Sequence, residues 1–211
     1  MNLNQIRTRV RSLSGIRSTA LLPDFEIDEY INEFNYSVFE AYDWPQRTTT
    51  STVATVPGTG TYAMPSNAAV VVALEYGPDS IGYRHQLSAV GAAEFDALNT
   101  GSIGLPEVYY ANPEARTVSL WPRPDIVESL RVRYLRKVTA LASENDAPPF
   151  DSDFHLMYAQ AAAAAAIRAH GGDERRARDL DTRVVASIAR LRKRYLMNPD
   201  RANTPMPRRW V

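Results

Sequence analysis

The sequence predicts an α+β fold: an antiparallel helical bundle formed by N- and C-terminal helices, with an inserted, mostly antiparallel β region and an extended C-terminal tail. Three observations carry this reading. Apolar residues recur at helical spacing before Trp44 and again after Pro149. Between them, Thr, Val and Tyr alternate with small residues and are cut by Gly/Pro turns. Residues 199–211 hold three Pro and no strand pattern. The expected boundaries are 1–47 and 150–198 for the bundle, 48–149 for the β region with one short helix, and 199–211 for an extended arm.

The elements follow in order. Leu3, Ile6, Val10 and Leu13 form one helical stripe, and Gly15 stands where it should stop. A second helix opens at Pro23-Asp24, with Asp24 as N-cap and Glu26, Asp28 and Glu29 at the positive end of its dipole. Its stripe is Ile27, Tyr30, Ile31, Phe34, Val38, Ala41 and Tyr42, and Trp44-Pro45 ends it. Thr48 to Val56 and Ala69 to Tyr76 read as strands, with a turn at Pro57–Gly60 between them and Tyr62 following it. Gly77 to Ser80 is a turn, Arg84 to Leu87 a short strand, and Ser88 the cap of a small helix carrying Ala92, Phe95 and Leu98. Val108 to Tyr110 and Thr117 to Trp121 flank Asn112-Pro113-Glu114 as a hairpin. Leu130, Val132 and Tyr134 alternate with Arg131 and Arg133, a half-buried strand with a basic outer face. Phe150 to Ala169 is an Ala-rich helix carrying Phe154, Met157, Tyr158, Ala161 and Ala165. Gly171-Gly172 ends it, Asp173 caps the next, and the last helix carries Ala177, Leu180, Val184, Ile188, Leu191 and Tyr195 before Asn198-Pro199.

A chain of 211 residues, 45% hydrophobic, buries a full core and is not a disordered polypeptide. It has no Cys, which excludes disulfides, thiolate metal sites and thiol nucleophiles. No apolar run approaches the roughly 20 residues of a membrane span, and no apolar segment follows the N-terminal arginines as in a signal peptide. A soluble protein made in the cytoplasm is expected. Net charge is zero but unevenly placed: +4 over residues 1–17, −7 over 18–46, −4 over 47–167 and +7 over 168–211. Such blocks either direct assembly between copies or partners, or are solvated helix faces.

No catalytic constellation stands out. Gly58-Thr59-Gly60 lacks the third glycine and the following helix of a dinucleotide site. His85, His155 and His170 have no partners at metal-ligand spacing. Asp151-Ser152-Asp153 precedes a helix and reads as an N-cap. No two carboxylates are set in separated environments, as acid–base catalysis requires. The expectation is no enzyme activity, no cofactor and no metal. The last helix offers Arg175, Arg176, Arg178, Arg183, Arg190, Arg192, Lys193 and Arg194, a set that could neutralise phosphates, although Asp173, Glu174, Asp179 and Asp181 share it. The tail carries Arg201, Pro205, Pro207, Arg208, Arg209 and Trp210. Arg and Trp are enriched at binding hot spots. Ordering thirteen residues costs on the order of 10–20 kcal/mol, so the tail is either a frayed end or an arm docked on a partner.

Four stretches in order give the chain a familiar outline. Glu40-Ala41-Tyr42-Asp43-Trp44-Pro45 ends an amphipathic helix before a Thr-rich strand; Gly58-Thr59-Gly60-Thr61-Tyr62-Ala63-Met64-Pro65 makes a turn and return; Gly104-Leu105-Pro106-Glu107-Val108-Tyr109-Tyr110 precedes Val118-Ser119-Leu120-Trp121-Pro122-Arg123-Pro124-Asp125 and Leu130-Arg131-Val132-Arg133-Tyr134; the Ala-rich helix, Gly-Gly-Asp break and basic helix close the series. Over residues 3 to 197 the chain resembles the head–tail connector (adaptor) proteins of tailed bacteriophages, with Met64 where that family tends to have Leu. The resemblance implies a structural virion protein in the neck between capsid and tail. It implies a ring of copies, typically twelve, bound under the portal protein, extending the DNA channel and presenting a surface to a downstream tail or nozzle protein. Contact with DNA is then non-specific proximity in the channel. The other readings are a stopper or tail-completion protein of the virion, and a DNA-binding accessory protein using the last helix. Candidate portal contacts are Arg201, Pro205, Pro207, Arg208, Arg209 and Trp210. Candidate contacts between copies are Glu26, Glu29, Glu33, Arg176, Arg183, Arg190 and Arg194. Some of Glu75, Asp79, Glu94 and Asp96, or the acids of 24–43, are expected to face the lumen.

Overall fold

In a computed structural model, residues 1–78, 84–98 and 101–196 are described. Among the described residues, five α-helices and two sheets make an α+β protein. Their order is α1 (Leu3–Ser14), α2 (Asp24–Glu40), β1 (Thr48–Ala54), β2 (Thr61–Ala63), β3 (Ala68–Gly77), β4 (His85–Gln86), β5 (Ser88–Ala89), α3 (Ala92–Asp96), β6 (Val108–Asn112), β7 (Thr117–Trp121), β8 (Ser129–Arg136), α4 (His155–Ala169) and α5 (Glu174–Tyr195). The chain divides into two compact units. One holds residues 1–46 and the described chain from 138 onward; the other holds residues 47–137.

In the first unit, helix α4 packs against α1, α2 and α5. Ala159, Ala162, Ala163, Ala164 and Ala166 are all buried, together with Met157, Tyr158 and Ile167. Burial therefore runs most of the way round α4, and Ala161 and Ala165, expected on the inward stripe, are only half-buried. The facing side chains are Leu3, Ile6 and Val10 of α1, Ile27, Ile31 and Val38 of α2, and Ala177, Leu180 and Leu191 of α5. Methyl side chains let three helices approach one, and each of these packed contacts contributes dispersion. Trp44 is fully buried at the end of α2. Its indole N–H donates to the Val38 carbonyl at 2.8 Å, and its ring meets Phe150 edge-on at 5.2 Å. Residues 138–146 are tied to the helices by hydrogen bonds. Asn32 donates to the Leu141 carbonyl (3.0 Å) and accepts from its N–H (2.7 Å), while Leu3 N–H donates to the Asp146 carbonyl (2.8 Å).

Gly15 ends α1 in the left-handed region (φ 81°), where a residue with a Cβ is strained. Asp173 caps α5 by accepting from the N–H groups of Arg175 and Arg176. Three local expectations are corrected. Pro23, not Asp24, occupies the N-cap of α2; the Asp24 carboxylate turns instead to Arg11 of the preceding helix, at 2.8 Å. Ser88 does not cap α3: it pairs in a short parallel ladder with Val108, and α3 starts after Gly91. Asp151 makes no side-chain cap, and a single 3₁₀ turn, Ser152–Phe154, precedes α4, which begins at His155. Both Asp151 and Asp153 reach across to Arg194 of α5 (3.0 and 3.3 Å).

The second unit holds two four-stranded sheets, ordered β1-β8-β3-β4 and β2-β7-β6-β5. All pairs are antiparallel except β5 with β6. The two sheets share one core: Leu74, Tyr76, Leu130, Val132 and Tyr134 from the first, Tyr62, Tyr109, Val118 and Leu120 from the second. Burial alternates residue by residue along β1, β2 and β7, whereas β3 and β8 carry consecutive buried residues and the short β4 and β5 are exposed throughout. Tyr62 pins the preceding turn by donating to the Thr59 carbonyl at 2.8 Å. Arg116, with φ 54°, closes the β6–β7 hairpin and donates to the carbonyls of Pro65 and Ser66 (2.8 and 2.9 Å). On the wet face of the first sheet, Glu75 sits between Arg131 (3.5 Å) and Arg133 (3.2 Å), which accounts for the basic alternation in β8.

Because α4 is in contact with three helices, enlarging a buried alanine has no free space to fill. Ala162→Leu is expected to destabilise by about 1–3 kcal/mol, read as a lower urea midpoint, whereas Ala169→Leu at the exposed end of α4 should change stability by less than about 0.5 kcal/mol.

Candidate interaction surfaces

The charge blocks of the sequence are partly spent inside the chain. Arg7 of α1 clamps Asp28 of α2 with two hydrogen bonds, Nε to Oδ1 at 2.7 Å and Nη2 to Oδ2 at 2.6 Å. Arg7 is nearly buried and lies 4.0 Å from Asp24 and 3.9 Å from Glu144. Such a fork-on-carboxylate pair fixes both distance and angle. With Arg11–Asp24, it means that two arginines from the basic start of the chain are spent on two carboxylates of the acidic segment directly after it. At the other end, Arg168 of α4 pairs with Asp181 and Glu174 of α5, and Arg178 pairs with Glu174 at 3.3 Å.

The seven charged side chains expected between copies are thereby sorted into two groups. Glu26 accepts from the Tyr30 hydroxyl at 2.7 Å and contacts His170 Nε2 at 2.9 Å. Arg176 donates weakly to the Ser12 carbonyl at 3.5 Å. Arg194 is held by Asp151 and Asp153, and its guanidinium lies 5.7 Å from the Phe154 ring. These three are engaged within the chain. Glu29 and Glu33 are exposed and form no ion pair within 4 Å among the described residues. Arg183 and Arg190 are likewise exposed without a carboxylate partner; Arg190 donates only to the Ser187 hydroxyl, at 3.1 Å.

Arg183 and Arg190 flank a groove of about 280 Å³ between α4 and α5, lined also by Asp153, Leu156, Met157, Gln160, Ala186 and Ser187. They stand seven residues apart, two turns along one side of the helix. Leu156 remains 38% exposed there. The helical spacing of α5 could have located this pair, but nothing in the sequence marks Leu156 and Gln160 as their neighbours. Arg192, also on α5, lies over the Tyr42 ring at 4.8 Å.

The other expected contacts fall differently. Arg201, Pro205, Pro207, Arg208, Arg209 and Trp210, the stop at Asn198-Pro199 and Asp79 all lie outside the described residues. Glu94 of α3 is exposed, and Glu75 is engaged by the β8 arginines. Among the described residues, no three His, Asp or Glu side chains gather as a metal site, and no helix is long and apolar enough to cross a membrane. His155 is buried, and its Nε2 lies 2.7 Å from the Phe150 carbonyl, as expected of a core histidine.

The Glu26 cluster has a pH consequence. The hydrogen bond from Tyr30, and then contact with His170, hold the Glu26 carboxyl below the ordinary carboxylate range, while burial and the same hydrogen bond push the Tyr30 phenol up to about 12. A carboxyl with a lowered folded-state pKa stabilises the fold above its unfolded value, about 4.3, and loses that contribution as pH falls through the folded value. Glu26→Gln should therefore be less stable than the parent near neutral pH, and the gap should close below the ordinary Glu pKa. Thermal midpoints of the two proteins measured across the acid range check this.

No curated protein matches the sequence in a like comparison. Against known families, residues 1–209 match the family described as SU10 adaptor protein, a match over nearly the whole length that agrees with the resemblance to phage head–tail adaptors drawn from the four motif stretches. The chain therefore belongs to the SU10 adaptor protein family and is a structural adaptor protein of a bacteriophage.

Proposed function

We propose that this protein is the head-to-tail adaptor of a tailed-phage virion, in which copies form a ring, typically of twelve, beneath the portal protein. The ring extends the DNA channel and presents its far side to a downstream tail or nozzle protein. The observation that carries this reading is the family match over residues 1–209. The surface chemistry supports it: Glu29 and Glu33 on α2 and Arg183 and Arg190 on α5 are exposed and form no ion pair among the described residues, as suits self-assembly between complementary faces. In this reading α1, α2, α4 and α5 form the helical bundle, residues 47–137 form the insertion, and residues 199–211 form an extended arm; residues 138–149, expected in the insertion, go with the helices. Arg201, Pro205, Pro207, Arg208, Arg209 and Trp210 of that arm dock on the portal. DNA passes the lumen without specific contact, and the site of action is the virion neck.

Mixing the protein with the portal protein of the same phage, and weighing the products by mass photometry, tests this. A stoichiometric complex is expected, and removal of residues 199–211 should abolish it. A complex that survives the truncation keeps the adaptor role and removes the arm from it. The absence of any complex with an intact portal ring overturns portal docking.

A further inference from the structure

Among the exposed charges of the helical unit that form no ion pair among the described residues, Glu29 and Glu33 share one face and Arg183 and Arg190 another. On α2, Phe25, Glu29, Glu33, Tyr36 and Glu40 share one exposed side, opposite the buried stripe of Ile27, Ile31 and Val38. Phe25 is 73% exposed and Tyr36 40%. An acidic stripe that also displays two aromatic rings has the composition of an interface rather than of a solvated helix face. On α5, Arg183 and Arg190 stand over the groove that holds Leu156, Met157 and Ala186. Lys193 is also exposed, about one turn beyond Arg190.

The two surfaces are complementary in sign and in kind. One offers carboxylates beside aromatic rings; the other offers guanidiniums beside a groove of mixed lining, in which Leu156, Met157 and Ala186 alternate with Gln160 and Ser187 and the one carboxylate, Asp153, is already paired with Arg194. Four residues separate Glu29 from Glu33 and seven separate Arg183 from Arg190, so both charge pairs repeat along a helix axis. The buried side of α2 faces α4, and the groove opens between α4 and α5; one copy cannot seat its own stripe in its own groove. We propose that the α2 stripe of one copy seats on the α4–α5 groove of the next, a head-to-tail contact between copies of this chain. Such a contact uses two different patches and so propagates into a ring when the rotation closes. The placement of the contact in a virion ring rests on the adaptor reading; the contact itself is a property of this chain alone.

The test uses the full-length chain by itself, so its outcome is separable from portal binding. Four proteins are compared by sedimentation velocity up to about 1 mM, a concentration that reveals even a millimolar contact: the parent, Glu29→Arg with Glu33→Arg, Arg183→Glu with Arg190→Glu, and the four changes combined. All four positions are exposed, and far-UV circular dichroism with thermal midpoints checks that each variant is folded. The parent should self-associate, more strongly at an ionic strength of about 0.01 M than at about 0.1 M, where screening shortens the Debye length from about 30 to about 10 Å. Each double reversal should weaken association roughly tenfold or more, and the combined protein should regain it. A parent that stays monomeric throughout, or reversals that leave its association unchanged, overturns the proposal. So does a combined protein no better than the double reversals. Reversals at Arg183 and Arg190 that abolish salt-dependent retention on DNA without affecting self-association also overturn it, in favour of a nucleic-acid face.

Discussion

Helix α4 can be packed on three sides because so many of its side chains are methyl groups. Leucines in place of Ala159, Ala162, Ala163 and Ala166 would hold α1, α2 and α5 at wider, unequal distances. With alanine, the backbones come close, and the larger residues of the surrounding helices supply the volume: Leu3, Ile6, Ile27, Ile31, Leu180 and Leu191, all nearly fully buried. The cost is specificity, since alanine offers few features to fix register. The polar bonds around α4 supply it. Tyr158 donates to Asn35 at 3.2 Å and stacks edge-on against Phe34 at 5.1 Å. Asn35 in turn donates to the Thr139 carbonyl at 3.1 Å. A buried Asn or Tyr with its partner in place disfavours any slipped packing, which would strand the same groups without hydrogen bonds.

The ion pairs act at a second level. Arg7–Asp28 and Arg11–Asp24 join α1 to α2, whose backbones approach each other less than each approaches α4. Arg168–Asp181 and Arg194–Asp151 close the α4–α5 hairpin near each of its ends. Most of these pairs are partly exposed, and such pairs contribute modestly one by one. Their larger effect is selective: each engages a charge within the chain, which separates Glu26 and Arg194 from Glu29, Glu33, Arg183 and Arg190.

Much of the fold was legible in the sequence. The periodicities of Leu3 to Val10, Ile27 to Val38 and Ala177 to Leu191 match the buried stripes. Gly15 and Asp173 stand at the helix ends that their residue types favour, and the hairpin around Asn112-Pro113 pairs as its alternation implies. The failures share a cause. Asp24, Asp151 and Ser88 each have the local chemistry of a cap, but a partner distant in sequence claims each of them: Arg11, Arg194 and the β6 strand. Local propensity cannot register a competitor that arrives through tertiary packing. The same limit applied to the candidate contacts. Helix phase placed Glu29, Glu33, Arg183 and Arg190 on the surface; only the cross-element pairs distinguished them from Glu26 and Arg194. The neutral total charge concealed all of this, because it sums over charges that cancel in space and charges that do not.

The β1–β8 ladder has a consequence for how the chain is made. It sets Thr48 opposite Leu135, so once the second unit is folded its two ends lie about 5 Å apart. The helical unit then closes across a narrow gap and not across a free loop of residues 47–137, whose closure would cost roughly 4 kcal/mol of chain entropy. During translation, α1 and α2 emerge some 115 residues before α4 begins. At about 5–20 residues per second, that is a delay of roughly 6–23 s. Through that interval Ile6, Val10, Ile27 and Ile31 have no α4 to cover them, while the β unit, contiguous in sequence, is able to complete itself. The order of synthesis thus makes the inserted unit the clamp that brings together two helical halves, and leaves the N-terminal helices as the portion most in need of chaperone cover.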